Sequence, residues 1–126
     1  MPLTKKQREA LKPMFGGRCA YCGGELGDKW HADHVDAIWR GYDTPTGLMR
    51  PENERPDNYF PACVPCNLFK STFSIEEFRR ELGHQVDRGR KSSVNFRTAE
   101  RFGLIKPVAK PVVFWFEQYQ EKVGAA

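Results

Sequence analysis

Four cysteines stand in two C-x-x-C pairs, Cys19/Cys22 and Cys63/Cys66, with 40 residues between the pairs. Two such knuckles can present four thiolates to one tetrahedral zinc, whose bonds to sulfur are about 2.3 Å long. The same cysteines could also form two disulfides or act as redox C-x-x-C motifs. The N-terminal residues MPLTKKQREALKP lack the apolar centre of a signal peptide, and reducing compartments keep thiols free. With Gly23-Gly24 after the first pair, this favours the metal. An all-sulfur shell leaves no open coordination position, so the zinc is expected to be structural and to contribute on the order of 10 kcal/mol of folding free energy.

Closing the knuckles on one ion draws the segment around His34 toward the segment that begins at Asn67. Asp33, His34, Asn58 and Asn67 then gather from distant parts of the chain. Each has an ordinary alternative role: Asp33 as a cap or ion-pair partner, His34 as a turn histidine, Asn58 and Asn67 as turn and helix-start residues.

Taken together, the order C-x-x-C, Asp33-His34, Asn58 and C-x-x-C-Asn67 followed by Lys70 resembles the HNH endonuclease family over roughly residues 18–71. The resemblance implies an α+β fold with a ββα-metal core near 18–72; around it the residues themselves suggest an N-terminal helix near 4–15 and a C-terminal helical and strand extension near 74–122, and the length suggests one domain spanning 1–126. It further implies that His34 takes a proton from water, that Asp33 and Asn67 hold a catalytic cation, and that Asn58 braces the loop and orients His34. Chemistry agrees, because phosphodiester hydrolysis needs a base near neutral pKa and a cation facing the phosphate. A carboxylate with an amide oxygen suits Mg²⁺ or Mn²⁺. The sequence departs from the family in two ways: Asn67 stands where many members have histidine, and the stretch from His34 to Asn58 is longer than in the shortest members. That stretch is either a loop touching DNA through Trp39, Arg40 and Arg50 or a surface insertion.

The expected partner is DNA. Residues 1–66 carry nine Lys/Arg and nine Asp/Glu, which cancel, whereas residues 67–126 carry eleven and seven and so hold the whole net charge of +4. Lys70, one helical turn after Cys66, is expected to touch phosphate, and Arg79, Arg80, Arg88, Arg90 and Lys91 to extend that grip. A solvated basic surface is the alternative. His31, two residues before Asp33, is either an accessory to the metal or phosphate or an ordinary core or surface histidine. Competing functions are a non-catalytic zinc-stabilised nucleic-acid-binding module and an RNase using the same residues.

The elements that must hold these groups are readable in part. Thr4 with Gln7 forms a capping-box pattern, and Ser74 with Glu77 forms another. Residues 29–35 and 58–60 suggest strands, 36–56 an irregular loop, and Asn67 through about Thr72 a helix. Ile75, Phe78 and Leu82 recur at helical spacing up to Gly83, and 94–102 suggests a helix capped by Gly103. Val112-Val-Phe-Trp-Phe116 suggests a strand. Charged residues at 29% and hydrophobic ones at 40% exclude wholesale disorder, and no apolar run is long enough for a membrane span. The expectation is a cytoplasmic monomer; its size is similar to that of proteins encoded by phages near packaging genes, which would place it in a host cytoplasm beside packaging proteins.

Overall fold

Thr4 opens the first helix with reciprocal bonds: its hydroxyl accepts from the Gln7 N–H and its own N–H donates to the Gln7 side chain. This helix, α1 (Lys5–Leu11), tightens into a 3₁₀ turn over Lys12–Phe15, and Gly16 closes it at φ 73°. A side chain at that left-handed position would strain the backbone. Two antiparallel strands follow, β1 (Trp30–His34) and β2 (Tyr59–Cys63), with Trp30 opposite Cys63 and His34 opposite Tyr59. From β2 the chain runs directly into α2 (Val64–Lys70), which has Pro65 in its first turn, where a missing N–H costs nothing. The fold is therefore mixed helix and sheet, of the α+β class. The computed structural model describes residues 3–39 and 47–124.

Between the strands the described backbone is mostly irregular, with 3₁₀ turns at Pro51–Asn53 and Pro56–Asn58. Its neck is tied where the Arg50 N–H donates to the Ile38 carbonyl at 2.8 Å and the Met49 N–H to the Trp39 carbonyl.

The chain divides into two units, one formed by residues 1–75 and 113–126, the other by 76–112. In the first, the core is aromatic: Phe15 meets Phe60 edge to face at 5.0 Å, Tyr21 meets Phe114 at 5.5 Å, and Phe60 meets Phe116 at 4.9 Å. The strand expected over 112–116 is not formed. Val112 to Phe114 is irregular and Trp115 begins a helix, α6 (Trp115–Gly124). The reason lies in what the first N–H groups meet. Trp115 and Phe116 donate to the Tyr21 and Ala20 carbonyls of the first knuckle, and the Glu117 carboxylate accepts from the Phe114 N–H. A helix start needs such partners, and docking here buries Phe114 almost completely, which outweighs the strand preference of the residue types.

In the second unit, α3 (Ile75–Gly83) buries Phe78 and is followed by α4 (Gln85–Ser92) and α5 (Val94–Arg101). The sequence reading did not foresee α4, because Gly83 and Gly89 look like breakers. Gly89 instead permits close packing: a Cβ there would lie 2.9 Å from the Phe96 ring. Ser93 caps α5 through the Phe96 N–H, and Gly103 at φ 73° follows its end.

Candidate metal centre and adjoining cavity

The four cysteine sulfurs lie within 4.8 Å of one another, and none is in a disulfide. Cys22 and Cys63 are 3.8 Å apart, close to the edge of a tetrahedron with sulfur about 2.3 Å from a central zinc. The antiparallel register explains the meeting, since Cys63 ends β2 and Cys66 lies in the first turn of α2, while the Ala20 N–H donates to the Pro61 carbonyl and so straps the first knuckle to β2. A hydrogen bond from the Cys66 thiol lowers the Cys19 thiol to about 4 against the opposing effect of burial, and the same bond raises Cys66. A thiolate that forms this readily suits a soft cation. The cluster could hold a metal ion, and its geometry is compatible with zinc.

Asp33 is buried beside this cluster, 4% exposed. Its Oδ2 accepts from the Tyr21 hydroxyl at 2.5 Å and lies 3.1 Å from the Lys70 Nζ, which also donates to the His34 carbonyl at 2.9 Å. Burial pushes the Asp33 carboxyl above the ordinary range, against the pull of Lys70 and Tyr21. The expected surface phosphate contact by Lys70 is corrected here: its side chain is completely buried. Positions 66 and 70 share a helix face, so the turn that aims Cys66 inward aims Lys70 inward as well. Each of these bonds to Asp33 falls on one oxygen, Oδ2.

Asn67 is tied to β1, where its amide nitrogen donates to His31 Nδ1 at 2.7 Å, a contact that leaves the amide oxygen uninvolved. His31 is thus the partner of Asn67.

The His34 ring packs on Tyr59 with centroids 4.5 Å apart, and its Nε2 lies 3.2 Å from both carboxylate oxygens of Glu54. Glu54 in turn accepts from the Tyr59 hydroxyl. Burial pushes the Glu54 carboxyl up, but the bonds with Tyr59 and His34 outweigh it and leave the group below its ordinary range. Sequence reasoning missed Glu54, which sits in an irregular stretch without periodicity. The flanking Pro51 and Pro56, which start both 3₁₀ turns, were the available hint that this backbone is held.

Asn58 supplies the brace for the same loop. Buried at 2% exposure, its side chain accepts from the Asp36 N–H and donates to the Asp36 and Asn53 carbonyls at 2.8 and 2.7 Å. The segment leaving His34 is thereby pinned to the segment that carries Glu54.

Asp33, His34 and Asn67 line one cavity of about 580 Å³, with Ala37, Ile38 and Trp39 on the loop side and Leu68, Ser71 and Thr72 on the α2 side. The basic residues expected to grip phosphate are placed differently from one another. Arg79 pairs with Glu76 and donates to the Val112 carbonyl, Arg88 pairs with Glu81, and Arg90 holds Glu100 in a fork of two nitrogens. The Arg88–Glu81 and Arg90–Glu100 pairs tie α4 to α3 and to α5, whereas Arg79–Glu76 lies within α3. Arg80 and Lys91 are exposed, and Arg40 lies outside the described residues.

No protein-family model, curated protein or solved structure matches this chain. No described helix is long and apolar enough to cross a membrane.

Proposed function

We propose that the chain is a metal-dependent endonuclease of the HNH type, which hydrolyses DNA phosphodiester bonds and nicks one strand per encounter. The observation that carries this reading is the shared cavity: the Asp33 carboxylate and the His34 imidazole from β1 and the Asn67 amide from α2 line one opening, and Asn67 directly follows Cys66 of the cysteine cluster. In this reading Cys19, Cys22, Cys63 and Cys66 hold a structural zinc. The Asp33 carboxylate and the Asn67 amide oxygen would hold Mg²⁺ or Mn²⁺, which when bound offsets the negative charge that builds on the scissile phosphate. With only two protein donors, the remaining positions would fall to substrate oxygens and water.

His34 acts as the base. Its Nε2 faces Glu54, so the proton of the neutral ring resides there and Nδ1 is left as the acceptor for the proton of water. Glu54 fixes this tautomer and stabilises the imidazolium that forms, and Tyr59 holds Glu54. Asn58 keeps the loop from carrying His34 away from this carboxylate.

The test is plasmid nicking. The zinc-loaded protein with Mg²⁺ or Mn²⁺ is expected to convert supercoiled DNA to open circles, EDTA to stop it, and His34→Ala to abolish it with zinc content and helical signal unchanged. If metal-loaded wild type leaves supercoiled, linear and single-stranded DNA intact, the reading fails. One observation favours a second reading: the buried Lys70 ammonium already balances Asp33, as a zinc module that binds nucleic acid without cutting would allow. Parallel RNA substrates separate the DNase from an RNase built on the same groups.

A further inference from the structure

Among the described residues, Trp39 is the one large aromatic side chain lining the cavity that holds Asp33, His34 and Asn67, and it also lines a neighbouring cavity of about 430 Å³ with Met49, Arg50 and Glu52. Trp39 is 47% exposed, and Leu68, which lines the same cavity, is 67% exposed. Single exposed apolar side chains are common on a protein surface, and what sets these two apart is that both line the cavity of the reactive groups, where an occupant would cover them.

The backbone holds Trp39 in this position. Its φ is 48°, a left-handed conformation that a bulky residue rarely adopts. On one side Ile38 is buried, and its carbonyl accepts from the Arg50 N–H; on the other, the Trp39 carbonyl accepts from the Met49 N–H. The backbone thus places Trp39 where its side chain lines both cavities, the first of them shared with the reactive groups. Trp30, by contrast, is buried beneath the Arg8 guanidinium at 4.0 Å and has no such face to offer.

The second cavity is chemically unlike a phosphate site. Among its described lining residues are one guanidinium and one carboxylate, whose opposite charges offset each other and give a second phosphate no net attraction. An indole face, a thioether, and a donor and an acceptor side by side match a nucleobase, which has an apolar face and a polar edge.

We propose that Trp39 is a stacking platform for an unpaired nucleobase next to the phosphate bound at Asp33 and Asn67, with Arg50 and Glu52 at the base edge, so that the preferred substrate is single-stranded or locally unpaired nucleic acid. This rests on the endonuclease reading for the place of the phosphate. A base inside a duplex has both faces covered by its neighbours and cannot offer one to the indole.

The experiment measures binding without cleavage. Zinc-loaded His34→Ala protein is titrated with a short oligothymidylate, the same strand made abasic at its central positions, and a duplex of equal length, following tryptophan fluorescence and anisotropy of a labelled strand. The single strand is expected to quench the emission, and adding Trp39→Ala is expected to weaken its binding about tenfold and remove the quench. Trp39→Phe should keep much of the affinity, while the abasic strand and the duplex should bind the Trp39→Ala protein and its parent alike. Equal affinity of Trp39→Ala and its parent for the single strand, or a quench that survives the substitution, overturns the proposal. Plasmid nicking by otherwise wild-type protein keeps the two readings apart: cleavage with no effect of Trp39 removes only this inference, while Trp39-dependent binding without cleavage removes only the endonuclease.

Discussion

The Lys70 ammonium, fully buried, lies 3.1 Å from Oδ2 of Asp33, whose side chain is nearly so. An ion pair this deep is held in place by what its loss would expose. Lys70→Met keeps the bulk and leaves a buried carboxylate with only Tyr21 beside it, so it is expected to destabilise the fold by about 3 kcal/mol in urea denaturation. Adding Asp33→Asn should recover a large part of that loss, because the second change removes the orphaned charge. Additive losses in the double variant would show that the pair is not coupled.

Glu54 bears on both activity and pH. Glu54→Gln retains the shape but not the charge facing His34 Nε2, and is expected to lower kcat on the order of 10- to 100-fold, a part of what a general base contributes, with KM little changed. Tyr59→Phe should have a smaller effect in the same direction. The folded-state value of this carboxyl is lowered, so its contribution to stability is present above the unfolded pKa and is lost as the pH falls through the folded one. Wild type and Glu54→Gln should therefore differ in thermal stability at neutral pH and converge once the pH has fallen below the folded-state value of this carboxyl.

Metal removal should dismantle the first unit. Metal analysis is expected to find one zinc per chain, and cobalt substitution to produce the absorption of a tetrahedral thiolate site. Chelation removes on the order of 10 kcal/mol, which exceeds the whole stability of many domains, so the far-ultraviolet dichroism should collapse and return with added zinc. Cys63→Ser should bind zinc far more weakly. A chain that keeps its full dichroism after the metal is stripped would remove zinc from the account of folding.

The packing of α4 on α5 gives a prediction separate from the site. Gly89→Ala places a methyl carbon where the Phe96 ring already stands, 2.9 Å away, and is expected to cost about 1–3 kcal/mol. Because Gly89 belongs to the second unit, the melting transition should shift while zinc binding stays as it is.

How far the sequence could be read depends on whether a residue's role is local. The capping box at Thr4 and Gln7, the stop at Gly103 and the two strands around Asp33 and Tyr59 follow from short-range chemistry, and the structure has them. The cysteine cluster is long-range, yet its spacing is regular enough to identify. Lys70 was legible in principle, since Cys66 points inward and position 70 repeats its face; its charge drew the reading to the surface instead. Glu54 was not legible, because its meeting with His34 depends on turns at Pro51 and Pro56 whose direction no periodicity encodes. Phe114 to Phe116 looked like a strand because such residue types favour one, and only the carbonyls of Ala20 and Tyr21, far earlier in the chain, decide otherwise.

Those carbonyls also set a timetable for synthesis. Trp115 not only donates its backbone N–H to Tyr21 but sends its indole N–H to the Phe15 carbonyl, 100 positions earlier. A growing polypeptide therefore makes its knuckles and hairpin long before the segment that covers their aromatic side has been translated. Until residues 114–116 emerge from the ribosome, the Phe15 and Phe60 rings lack their cover. Such late, long-distance closure slows folding and leaves the nascent chain prone to self-association.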